Sequence, residues 1–112
     1  MTDKIVVLSA CETIETAESI AQWLVEQRLA ACVNIVPGLT SVYRWKGSIE
    51  KTAELLLLIK TRRELFDSVR AALETLHPYD TPEIVAVPIV DGAASYLNWL
   101  DKETSADESV AE

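Results

Sequence analysis

A chain of 112 residues that is 49% hydrophobic can build one packed domain and is too apolar to stay disordered. Its net charge of -8, from 18 acidic and 10 basic residues, argues against nucleic-acid binding and against attraction to anionic membranes. No apolar run approaches the ~20 residues of a membrane span, and the N-terminus lacks the pattern of a signal peptide.

The elements fall in a simple order. Ile5–Leu8 is apolar on both faces and predicts a central strand, with Ser9-Ala10 after it and Cys11-Glu12-Thr13 as the loop leaving it. A helix follows over Glu15–Leu29, its buried stripe formed by Ala17, Ile20, Ala21, Leu24 and Arg28 and widened by Val25 and Leu29. Ala31–Lys60 then reads as one long β-hairpin with Lys46-Gly47 at its turn. Pro37-Gly38 interrupts the first arm and predicts a bulge on an edge strand, because proline cannot donate to a ladder. The second arm carries Leu55–Ile59, apolar on both faces.

Thr61-Arg62-Arg63-Glu64 fits a capping box that opens a second helix, with a stripe of Leu65, Phe66, Val69, Ala72, Leu73 and Leu76. His77-Pro78 ends that helix, and the stiff stretch His77–Glu83 leads to a strand over Ile84–Ile89. Gly92 begins a short last helix that docks Tyr96, Leu97, Trp99 and Leu100. Residues 1–103 are thus one α+β domain, a ferredoxin-like βαββαβ sandwich with a long β2-β3 hairpin and an extra C-terminal helix. Residues 104–112 read as an acidic, solvated tail.

Lengths carry a further expectation. Arms of about 14 residues reach ~45 Å, whereas helices of similar residue count cover only ~21 Å. Val42, Tyr43, Trp45 and Ile49 at the hairpin tip, together with a sheet face that no helix covers, predict self-association.

Catalytic signals are absent: no Gly-rich phosphate loop, no zinc-type Cys/His cluster and no GxSxG motif. His77 is the only histidine, and nothing marks an oxyanion hole beside a Cys11–His77 pair. No enzyme is expected. Cys11 and Cys32 are not in CxxC spacing and read as free thiols of a cytoplasmic protein.

Several motifs recur together in one order. They are Ala30–Ile35 with Pro37-Gly38, Ser41–Gly47, Leu58–Thr61, His77-Pro78-Tyr79 with Pro82-Glu83-Ile84, and Gly92 with Tyr96–Trp99. Over about residues 4 to 101 the chain resembles the CutA family of divalent-cation tolerance proteins. The resemblance implies a cytoplasmic homotrimer, similar in architecture to the PII signal proteins and linked to copper and heavy-metal tolerance. It also implies copper ligands at three positions, occupied here by Ser9, Leu76 and Glu83, of which only Glu83 is a fitting donor. Cys11 and His77 lie close to the other two and are the substitute copper ligands, since thiolate and imidazole suit that ion. Tyr43, Trp45, Lys60, Tyr79 and Trp99 belong to the same pattern, at subunit contacts or around an intersubunit pocket for a small anionic ligand with Lys60 supplying charge. The expected partners are further copies of the chain and a divalent metal ion, or, in a PII-like sensor or scaffold, a small molecule or protein.

Overall fold

A computed structural model describes residues 2–105. The elements are β1 (Lys4–Cys11), α1 (Ile14–Glu26), β2 (Cys32–Trp45), β3 (Ser48–Arg62), α2 (Phe66–Leu76), β4 (Val85–Pro88) and α3 (Ala94–Glu103), with a 3-10 turn at Arg63–Leu65 leading into α2. The four strands form one antiparallel sheet in the order β2-β3-β1-β4. No helix among the described residues is long and apolar enough to cross a membrane.

Strand register sorts the side chains onto two faces. Ile5 lies opposite Thr61, Val7 opposite Ile59 and Ser9 opposite Leu57, so these six share a face. Five of them are at most 1% exposed and Ile5 is 4% exposed. They meet Ala17, Ile20 and Leu24 of α1 and Val69, Ala72 and Leu73 of α2 in one core, which places both helices on this side. Alternate residues turn the other way. Val36, Leu56, Ala10 and Leu8, Leu58, Val85 form that opposite face, where Val85 and Val36 are exposed. The expectation that no helix covers this face is corrected at one end, where Lys4 and Arg62 meet Asp101 of α3 and Thr104 at its C-cap.

Four local readings are corrected. Cys11 is not in a loop: it ends β1, paired with Leu55 and fully buried. Thr13 is the N-cap of α1, accepting from the Thr16 amide at 3.1 Å. α1 stops at Glu26, and Arg28 leaves the helical stripe with φ 57°, its guanidinium reaching the Glu103 carbonyl at 3.2 Å. The capping box does not form. Thr61 is still a strand residue, and its hydroxyl donates to the Leu29 carbonyl at 2.7 Å inside the core. Glu64 instead pairs with the Arg62 guanidinium, and neither the 3-10 turn nor α2 has a side-chain cap.

The hairpin follows its sequence signals closely. Trp45 pairs with Ser48 across Lys46-Gly47, both with positive φ (49° and 84°), the geometry of a two-residue type I′ turn. Val36 and Leu39 bracket the bulge at Pro37-Gly38, and β2 is an edge strand as a proline requires. Strands of 14 and 15 residues against helices of 13 and 11 give a body measuring 52 × 27 × 23 Å. The far end of the hairpin extends past the helices, leaving Val42 and Ile49 each 63% exposed.

At the other end of the chain, Thr104 is not solvated. It is 3% exposed, donates to the Leu100 carbonyl at 2.9 Å and accepts from Arg62 Nε at 2.8 Å. The expected acidic tail from residue 106 onward lies outside the described residues.

Candidate functional site

The segment between α2 and β4 is fastened to the sheet by the one histidine. Proline at 78 stops α2, so His77 adopts extended backbone geometry (φ -81°, ψ 136°) and its ring turns inward. Nε2 lies 2.7 Å from the Ala10 carbonyl, which can only accept, so Nε2 carries the proton. Nδ1 accepts the Tyr79 amide at 3.2 Å. Both ring nitrogens are therefore occupied, and the imidazole is the neutral Nε2–H tautomer. The His77 and Tyr79 rings lie against each other with centroids 4.5 Å apart.

This anchoring delivers Tyr79 to the hairpin. Its hydroxyl donates to Glu54 Oε2 at 2.6 Å. Burial, and then the Glu54 carboxylate, push the Tyr79 phenol well above its ordinary range, so it remains a donor. Glu54 sits where the hairpin resumes pairing after the bulge, opposite Leu39, and is only 9% exposed. From there to the tip, Ser41 opposite Thr52 and Tyr43 opposite Glu50 continue the same face, and Tyr43 Oη lies 2.9 Å from Thr52 Oγ1.

A cleft of about 560 Å³ opens between these two pieces, under the hairpin and beside the His77–Glu83 segment. Tyr43, Trp45 and Tyr79 supply aromatic walls; Glu54, Asp80 and Glu83 supply carboxylates; Ala10, Ser41, Val42 and Thr81 complete the lining. No lysine, arginine or histidine lines it.

Residues 5–103 match the family model described as CutA1 divalent ion tolerance protein. This chain belongs to the CutA family. It is 54% identical over 99 residues to the divalent-cation tolerance protein CutA of Thermus thermophilus, covering 88% of this chain and 96% of that protein. It is 41% identical over 96 residues to human protein CutA, covering 86% of this chain and 54% of the human one. Among solved structures, CutA from Xylella fastidiosa superposes with a TM-score of 0.90 at 42% identity, covering 93% of this chain and all of that one. The Thermus thermophilus structure gives 0.84 at 54% identity, covering 87% and 94%.

For this CutA-family chain, the structure divides the expected site residues into three groups. Tyr43, Trp45, Tyr79 and Glu83 come together at the cleft. Lys60 and Trp99 do not: Lys60 bonds Asn34 Oδ1, and Trp99 stacks near Tyr96 beside a second hollow lined by Arg28 and Glu103. Within one chain, Lys60 supplies no charge to the cleft. Cys11 and His77 form the third group. Both are buried, and His77 bonds the carbonyl of Ala10, the residue before Cys11, but the Cys11 thiol points at the Thr13 carbonyl at 3.6 Å and burial raises its pKa.

As copper donors within one chain, Cys11, His77 and Glu83 do not fit. The imidazole has no spare lone pair, the thiol holds its proton, and Glu83 is exposed on the cleft. No three of His, Cys, Asp and Glu among the described residues gather into a group that could hold a metal ion.

Sequence reasoning missed Glu54 and Asp80. Glu54 had a readable signal: it is a lone carboxylate directly before the Leu55–Ile59 run, at a position the ladder turns toward the sheet's uncovered side. Ser9 also has no assigned partner. Its Oγ is buried within the core face of β1 and makes no hydrogen bond.

Proposed function

We propose that this chain is a divalent-cation tolerance protein that works as a homotrimer and acts by binding a ligand in the cleft under its hairpin, not by catalysis. The observation that carries the reading is the convergence of Tyr43, Trp45, Glu54, Tyr79, Asp80 and Glu83 around one cleft of about 560 Å³, a size suited to small molecules. The sheet order β2-β3-β1-β4 with both helices on one face supports a ferredoxin-like subunit. The exposed Val36, Val85 and Val87 of the opposite face and the apolar hairpin tip support assembly around it. Two free cysteines suit the reducing cytoplasm. Such a trimer is a PII-like sensor, in which ligand and subunit contacts share one surface.

A second reading keeps copper at Cys11, His77 and Glu83, favoured by the bond from the His77 ring to the carbonyl of Ala10, the residue before Cys11. It requires His77 to surrender a hydrogen bond and Cys11 to lose its proton. One titration separates the readings. Cu(II) is added to the purified protein and to Cys11→Ser and His77→Ala, while tryptophan fluorescence and copper absorption are followed. The cleft reading expects no thiolate–copper charge-transfer band and no dependence on Cys11. A band abolished by Cys11→Ser would establish the copper site and displace the cleft as the primary site.

A further inference from the structure

We propose that the cleft is a site for a small organic cation, an ammonium or guanidinium group carried on an apolar body. The inference rests on the cleft reading above and specifies its ligand class.

Glu54 is the centre of the argument. It is a charged side chain nine-tenths buried, it lines the cleft, and its hydrogen bond is to a neutral phenol. A buried carboxylate without a cation is costly, and the lining contains no basic residue that offsets it. Asp80 and Glu83 add two exposed carboxylates at the rim, so the lining supplied by one chain carries three negative charges and no positive one, with Lys46 beside it over the Trp45 ring. This field repels anions and attracts cations, most strongly at the buried site where the dielectric is lowest.

The rest of the lining selects among cations. A bare divalent ion needs several oxygen ligands converging at ~2.0–2.6 Å. Among the described residues no such group of three exists. Three aromatic rings supply no oxygen cage, but aromatic faces attract ammonium and guanidinium groups, as Lys46 Nζ over the Trp45 ring at 5.7 Å already shows, and their area suits an apolar body. The cleft of about 560 Å³ is also far larger than a lone ion requires. Tyr79, held by His77 and the Ala10 carbonyl, fixes Oε2 of Glu54, so the carboxylate is oriented before a ligand arrives.

Three matched probes test this on the full-length assembled protein: phenethylammonium, phenethyl alcohol and 3-phenylpropionate. Binding is followed by calorimetry and by tryptophan fluorescence. The cation should bind with Kd of about 1 mM or tighter and at least about tenfold more tightly than either other probe. Its affinity should fall as salt rises, because the rim carboxylates are screened. Glu54→Gln, which keeps an acceptor for Tyr79, should weaken the cation about tenfold and leave the alcohol unchanged. Glu83→Gln, at the exposed rim, should weaken it less. Equal binding of all three probes, or preference for the carboxylate, would overturn the cation while leaving the cleft a ligand site. Failure of every probe to bind would overturn both. The comparison among probes needs only the wild-type protein, so it stands even if Glu54→Gln does not fold.

Discussion

Individual side chains here show how burial decides chemistry. Ser9 places a hydroxyl in the core with nothing to bond, which costs about 1–3 kcal/mol. Ser9→Ala should therefore raise stability by about 1 kcal/mol in urea unfolding, with the fold unchanged. Cys11 and Tyr79 are both held protonated by burial, with Glu54 adding to the effect at Tyr79. Their ordinary pKa values are 9.0 and 10.0, and both are higher in the folded chain. Above pH 9.0 the unfolded chain gives up the Cys11 proton before the folded chain does, so stability is full below that pH and falls as pH rises. Urea midpoints measured from pH 7 to 11 should decline from about pH 9. Cys11→Ala should remove the first part of the decline and leave the part due to Tyr79.

Elements were legible where short-range chemistry decides them. Lys46-Gly47 set the hairpin turn, Pro37-Gly38 set the bulge, and Pro78 stopped α2. Reasoning failed where a tertiary contact overrode a local motif. Thr61 has the right spacing to Glu64 for a capping box, yet β3 runs on through Arg62 and points the Thr61 side chain at the Leu29 carbonyl. Only the register of β3 on β1, which no local window contains, reveals that. Thr61→Val should cost about 1–2 kcal/mol by leaving the Leu29 carbonyl unpaired, measured by thermal or urea unfolding. The helical circular dichroism of the folded protein should not change; a shortened α2 would restore the capping role. The candidate site was half legible for a related reason. Its aromatics lie in recurring motifs, while Glu54, set by the β2–β3 register, and Asp80, on the segment that His77 fastens to the sheet, meet only in the folded chain.

For the whole molecule the decisive feature is unequal length. β2 and β3 run on past α1 and α2, so one chain leaves its own hairpin tip and part of the outer face of its sheet exposed. Val42, Tyr43, Trp45 and Ile49 at the tip and Val36, Val85 and Val87 on the sheet are the apolar side chains left over. Burying them between copies would create a large, apolar interface of the obligate kind, and folding would then be inseparable from assembly. Val42, Tyr43 and Trp45 of that tip also line the cleft. Sedimentation equilibrium over a dilution series into the low micromolar range, with circular dichroism on the same samples, tests this directly. The account predicts three chain masses at every concentration at which the protein is folded. A folded species of one chain mass would contradict it.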